Sequence, residues 1–173
     1  MKKKTPKESM AITTEIVLPN DTNVLGNLMG GRLLHWMDIT AAIACHRHCN
    51  RVVVTASVNN VAFNQAIKLG EIVTLQAKIS RAFTSSMEVF IDVWVENNST
   101  GTKRKCNEAI YTFVAVDQMG NPIAVPEIEP ESQEEHSRYA AALRRRQLSL
   151  ILAGKMKPQN ATELKALFVD ENA

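Results

Sequence analysis

From Met87 to Glu96 the chain alternates: Met87, Val89, Ile91, Val93 and Val95 are interleaved with Glu88, Phe90, Asp92, Trp94 and Glu96. A period of two predicts a strand. Residues 52–63 and 71–80 are further β-branched runs, separated by a Lys-Leu-Gly turn. Residues 103–117 return as a long strand after the hairpin loop Asn97-Asn98-Ser99-Thr100-Gly101 and end at the turn Gln118-Met119-Gly120-Asn121-Pro122. A shorter run over 11–17 is stopped by Pro19-Asn20-Asp21. Residues 32–46 differ. They contain no breaker, and Leu33, Leu34, Trp36, Met37, Ile39, Ala41, Ala42, Ile43 and Ala44 cover nearly every face of a 3.6-residue period. A helix apolar all round is expected to be buried.

One strand, one long buried helix and a series of long antiparallel-type strands make an α+β layout, with the helix against a single sheet. The sheet covers one side of that helix, and a chain of this length has nothing else to cover the other. A second copy does so economically, so a two-fold homodimer is expected. Residues 1–10 are charged and aperiodic and read as a mobile tail, followed by a domain over 11–126. Residues 127–173 open with an acidic linker (Glu127, Glu129, Glu131, Glu134, Glu135). A helix follows over 137–150 bearing Arg138, Arg144, Arg145 and Arg146, then a short helix beyond Pro158 with Leu164, Leu167 and Phe168.

Composition narrows the class. With 173 residues, 45% hydrophobic and 22% charged, the chain is a globular single domain, not a disordered one. A net charge of +2 offers no basic stripe for nucleic acid, and no run approaches a membrane span. The basic start, Met1-Lys2-Lys3-Lys4, has no apolar run behind it and is not a secretory signal. Three cysteines suit a reducing compartment better than a disulfide framework, so a cytoplasmic location is expected.

Asp38 lies inside the apolar helix, where an ionised carboxylate must be paired, hydrated or neutralised. It reads equally as a solvated residue on an exposed stripe and as a site residue. Gly30-Gly31 stands just before the helix. Glycine there lets a ligand reach the unpaired first N–H groups and the positive end of the dipole, or simply serves a tight turn. Asn23 and Asn27 suit Asx-turns or caps, and asparagine also offers a donor and an acceptor to a ligand. His35 is a candidate base or a hydrogen-bonded core histidine. In Cys45-His46-Arg47-His48-Cys49, helical spacing puts only the two cysteines on one face, and Cys106 is on a strand, so no metal is expected. Nucleophile-elbow, Walker and dinucleotide motifs are absent.

The assembled string Asp21-Thr22-Asn23-Val24-Leu25-Gly26-Asn27-Leu28-Met29-Gly30-Gly31, then Leu33-Leu34-His35-Trp36-Met37-Asp38 and Ala41-Ala42, resembles the signature of hotdog-fold acyl-CoA thioesterases. More narrowly, it looks like the cytosolic acyl-CoA hydrolase group, found in bacteria and, as tandem domains, in animals. Val54-Thr55-Ala56-Ser57-Val58, Phe63, Gly70-Glu71, Thr84-Ser85-Ser86-Met87-Glu88-Val89 and the run from Glu108 to Asp117 agree with it. The resemblance implies an antiparallel sheet wrapped around a central helix and hydrolysis of acyl-CoA to fatty acid and CoA, with no cofactor because CoA is part of the substrate. It also implies composite sites between protomers, Asn23 of one facing Asp38 of the other, and trimers of dimers. Gly30 and Gly31 would stabilise the thioester oxyanion. Asp38 would activate water as a base or attack directly, and Asn23 would position water or thioester. Thr84, Ser85, Ser86 and one or two of Arg144, Arg145 and Arg146 would contact CoA. Arg81-Ala82-Phe83 departs from relatives, which often have glycine there. Two rival readings are a hotdog hydratase or dehydratase using His35 with a carboxylate, and an acyl-CoA binder without turnover.

Overall fold

The computed structural model describes residues 1–59, 61–63 and 65–169. The elements in chain order are α1 (Pro6–Ser9), β1 (Ala11–Ile16), α2 (Gly30–Cys49), β2 (Val52–Asn59), β3 (Ile72–Ala82), β4 (Ser86–Glu96), β5 (Lys103–Val116), α3 (Gln133–Leu152) and α4 (Thr162–Val169). Residues up to Glu129 form one compact unit, and those from Pro130 a second.

In the first unit all five strands pair antiparallel in the order β1-β3-β4-β5-β2. The helix α2 packs against every one of them. The predicted alternation sets the inner face: Leu75, Ile79, Val89, Val93, Tyr111 and Phe113 are at most 1% exposed. From the helix, Leu33, Met37, Ala41, Ala44 and Cys45 meet that face. Each large apolar side chain buried this way stabilises the fold by roughly 1.5–3 kcal/mol. The alternation on β4 is only half expressed, since Glu88 and Phe90 are also buried; the Ser80 hydroxyl donates to Glu88 Oε1 at 2.6 Å.

The central helix is longer than its apolar run. It begins at Gly30, where glycine adopts helical geometry, and ends where Asn50 takes a left-handed conformation, φ 52°. It is not buried all round. Gly31, His35 and Ile39 form an exposed stripe, with Ile39 45% exposed. Beside it β2 is an unpaired sheet edge carrying exposed Val52, Val54 and Val58. Such an edge is a template for another strand.

The first ten residues are not a plain tail. Pro6 and Ser9 are buried in α1, where Glu8 accepts a bond from Thr5 N–H at 2.7 Å. Lys4 N–H donates to Glu127 C=O, and Glu129 N–H to Lys4 C=O. One helical turn is too short to show a period, and backbone pairing leaves no mark in side-chain pattern. The same bonds keep 127–129 with the first unit, three residues past the expected boundary.

In the second unit Ser132 caps α3 by accepting from Glu135 N–H, and Glu135 returns the bond to Ser132 N–H. Glu134 and Glu135, read as linker, are thus first-turn residues, where carboxylates suit the helix dipole. Gln147 of α3 accepts from Leu164 N–H at the start of α4.

Candidate active site

The loop before α2 is built by one carboxylate and one amide side chain. Asp21 accepts from Leu18 N–H with Oδ2 and pairs through Oδ1 with Arg32 Nε at 2.9 Å; its carbonyl accepts from Met29 N–H. Asn23 Oδ1 accepts from Leu25 N–H at 2.9 Å and Asn27 N–H at 3.2 Å. Gly26, at φ 71°, supplies the left-handed turn that closes this loop. The Asx-turn expected at Asn23 is therefore present. It occupies the carbonyl oxygen and leaves the Nδ2 donors for a ligand.

Met29 precedes the helix without a side-chain cap, and its carbonyl accepts from Arg32 and Leu33 N–H. Among the described residues Gly30 and Gly31 N–H meet no acceptor. Neither glycine has positive φ, so no tight turn requires them. A Cβ on Gly30 would come within 3.3 Å of the Phe63 ring, whereas one on Gly31 would meet open space. Asn23, Gly30, Leu33, Phe63, Ile67 and Cys106 line a cavity of about 310 Å³.

Asp38 does not line it. Eight residues along the helix separate it from Gly30, about 12 Å of rise. Thr55 on β2 donates to Asp38 Oδ1 at 2.8 Å, and Oδ2 makes no hydrogen bond among the described residues. Thr55 faces the helix opposite Phe113; a bulge then passes over Ala56, so Val58 faces it too, opposite Tyr111. Tyr111 donates to Leu34 C=O at 3.0 Å; burial first, then the Asp38 charge, push its phenol up to about 12.

Thr84, Ser85 and Ser86 form the β3–β4 turn. Their carbonyls accept from Val125, Ala115 and Phe83 N–H respectively. Ser86 is level with Val114 and Val54, two strand spacings (~10 Å) from β2. Asn27 bridges to Lys68, just before β3, at the opposite end of the sheet. Arg144, Arg145 and Arg146 lie on α3 of the second unit and are half-buried; Arg145 donates to Arg138 C=O at 3.4 Å, and burial pulls Arg146 below its ordinary pKa.

One reading needs correction. His35 is exposed, not core. Cys45 and Cys49 are buried free thiols that burial pushes upward; His48 bonds Pro126 C=O at 2.8 Å and His46 Arg51 C=O at 3.1 Å. Among the described residues no group of three or more potential ligands could hold a metal, and no helix is long and apolar enough to cross a membrane. Sequence reasoning passed over Thr55 as a partner of Asp38. The signal was the string Val54-Thr55-Ala56-Ser57-Val58, which matched the family without giving Thr55 a role.

The profile of the thioesterase superfamily matches residues 25–102. The acyl-CoA thioester hydrolase YkhA of Bacillus subtilis, itself uncharacterised, is 40% identical over 139 residues, 80% of this chain and 81% of that protein. A hexameric acyl-CoA thioesterase superposes with a TM-score of 0.85 at 35% identity, covering 88% of this chain and 98% of that one. The acyl-CoA hydrolase of Staphylococcus aureus, solved with butyryl-CoA, CoA and CoA disulfide, superposes at 0.80 and 34% identity over 88% of this chain and 94% of its own. Variants of that hydrolase with alanine for an asparagine, an aspartate and a threonine have also been solved; the aspartate follows the asparagine by fifteen residues and the threonine follows the aspartate by seventeen. This chain belongs to the hotdog-fold acyl-CoA thioesterases of the thioesterase superfamily.

Proposed function

We propose that the chain hydrolyses acyl-CoA thioesters to a free fatty acid and CoA at sites shared between two protomers. One observation carries the shared site: Asn23, with the free Gly30 and Gly31 donors, stands at one end of α2, and Asp38 is mid-helix beside an unpaired strand edge and an exposed helix stripe. Pairing two copies through β2 and that stripe continues the sheet and covers Ile39. It also offers Asp38 of one protomer to the Asn23 loop of the other. The separations Asn23–Asp38 and Asp38–Thr55, fifteen and seventeen residues, equal those between the replaced residues of the S. aureus hydrolase. Hexameric relatives support three such dimers.

The chemistry follows from the groups. Water attacks the thioester carbonyl, and negative charge develops on its oxygen. Backbone donors at a helix N-terminus suit that charge, and one such donor is worth about 3–4 kcal/mol in measured systems. Thr55 holds one Asp38 oxygen, leaving the other to orient the water and take its proton. Asn23 Nδ2 positions the thioester or the water. The proton taken by Asp38 passes to the sulfur as the C–S bond breaks, so CoA leaves as the thiol and the carboxylate is restored. Thr84, Ser85 and Ser86 and one or two of the arginines 144–146 contact the CoA moiety, where guanidinium forks suit phosphate oxygens. Three buried free thiols suit a cytoplasmic setting.

Incubation with palmitoyl-CoA and a thiol reagent tests the reading, which requires release of free CoA. Water addition to an enoyl-CoA instead points to a hydratase, and binding without turnover to a sensor.

A further inference from the structure

The mechanism leaves one half-buried ion pair without a role. Glu71, just before β3, is 6% exposed, and Arg104 of β5 meets it with both guanidinium branches: Nη1 to Oε1 at 2.8 Å and Nη2 to Oε2 at 3.1 Å. A bulge explains how they meet. On β5 the odd-numbered residues 109–115 face the helix, but the register passes over Cys106 and reverses this parity, so Arg104 turns inward opposite Val95. Glu71 lies on the same side, two residues before buried Val73.

The pair also grips backbone. Arg104 Nη2 donates to Ala66 C=O at 3.1 Å, and Glu71 Oε2 accepts from Lys68 N–H at 2.8 Å. These groups flank Ile67, a buried wall of the cavity. Ile67 C=O accepts from Leu28 N–H at 2.7 Å, Lys68 bridges Asn27, and Leu69 N–H donates to Gly26 C=O at 3.0 Å. The ion pair therefore holds residues 66–69, which hold residues 26–28, the link between Asn23 and Gly30. Bidentate charged bonds are among the stronger and more directional ones.

We propose that Glu71 and Arg104 are positioning residues for the hydrolysis, setting the places of the Asn23 amide and the Gly30 and Gly31 N–H groups through residues 26–28. The inference rests on the reading of those groups as acting on the thioester. Neither Glu71 nor Arg104 touches substrate in it. The bond to Arg104 holds the Glu71 carboxyl below its usual range against the opposing effect of burial.

Steady-state kinetics on palmitoyl-CoA with Glu71→Gln, Arg104→Gln, the double variant and Arg104→Lys test this. Each glutamine variant is expected to lose about tenfold or more in kcat, because a displacement of about 1 Å can cost up to ~100-fold. KM should change much less, and the double variant should be no worse than either single, as for residues acting as a unit. The Glu71 carboxyl faces Arg104, Lys68 and the Cys106 thiol, and its protonation in the wild type breaks the same grip, so kcat should fall as acid reaches it below the usual carboxylate range. Glu71→Gln and the double variant should lack that fall. A pair with only a structural role would lower the melting temperature and leave kcat and its pH profile unchanged. Folded variants with wild-type kcat overturn the proposal. If the glutamine variants do not fold, Arg104→Lys decides, since it keeps the charge but not the grip on Ala66; wild-type kcat there also overturns it. A wild-type chain that releases no CoA overturns the functional reading and this inference with it, whereas an active wild type with unaffected variants overturns this inference alone.

Discussion

Thr55 Oγ1 donates to Asp38 Oδ1 across 2.8 Å, tying the sheet's edge strand to the middle of its central helix. The bond gives the carboxylate one fixed oxygen and one available oxygen. It sits where the fold is incomplete in a single copy, beside an unpaired strand and the exposed Ile39. Removing the hydroxyl with Thr55→Val should lower kcat about tenfold through loss of orientation, whereas Thr55→Ser should retain most activity. Equal rates in Val and Ser variants would remove Thr55 from the site.

Replacing the carboxylate itself tests the base. Asp38→Asn keeps size and can still accept from Thr55, but it cannot take a proton. A fall of at least ~100-fold in kcat is expected, the usual scale for a positioned acid–base group, with CoA binding retained. Near-normal turnover in a folded Asp38→Asn protein would sink the assignment.

The shared site predicts complementation. Asn23→Ala and Asp38→Asn homodimers should both be inactive, yet mixed dimers carry one site with both residues intact. Unfolding the two together and refolding should restore activity absent from either alone. Failure to recover any would place both residues in one chain's site.

The three arginines predict a binding defect. Helical spacing of ~100° per residue spreads Arg144, Arg145 and Arg146 around α3, so they cannot all face one ligand. Replacing all three with alanine should raise KM more than it lowers kcat, as expected for contacts felt equally in ground and transition states. The loss should shrink on dephospho-CoA thioesters if the 3′-phosphate is the partner. Unchanged KM would return the segment to plain surface.

Buried His48 predicts a pH dependence of stability. Its Nε2 bonds Pro126 C=O, and its Nδ1 has no partner among the described residues. Burial pulls it below its ordinary 6.5, helped by Lys4 and opposed by the Pro126 bond and Glu8. The unfolded chain therefore takes up this proton at a higher pH than the fold does. Stability is present above about pH 6.5 and is lost as pH falls through the folded value. His48→Gln should flatten that decline, read as melting temperature against pH; parallel curves for the two proteins would contradict it.

Much of this architecture is written in local pattern. Period two marked β4, the hairpin loop after it marked the return strand β5, an unbroken apolar run marked α2, and the string around Asn23, Gly30, Gly31 and Asp38 marked the family. These features are legible because each depends on residues near in sequence. The Asx-turn at Asn23 and the free N–H groups of Gly30 and Gly31 follow from the same local chemistry.

Other features were decided only when distant segments met. Residues 1–10 look like a tail because backbone pairing of Lys4 with 127–129 is blind to side-chain type. Glu134 and Glu135 look like a linker until Ser132 makes them a capped first turn. Thr55 reaches Asp38 only because β2 pairs with β5 in the register that sets it opposite Phe113, and Arg104 reaches Glu71 only because a bulge at Cys106 reverses which face its strand presents. A bulge adds one residue to one strand and leaves composition and period almost unchanged. Sequence by itself thus determined which elements form and which chemistry they carry, since those depend on neighbours along the chain. The tertiary structure alone decided which side chains meet, since that depends on register across strands far apart in the sequence.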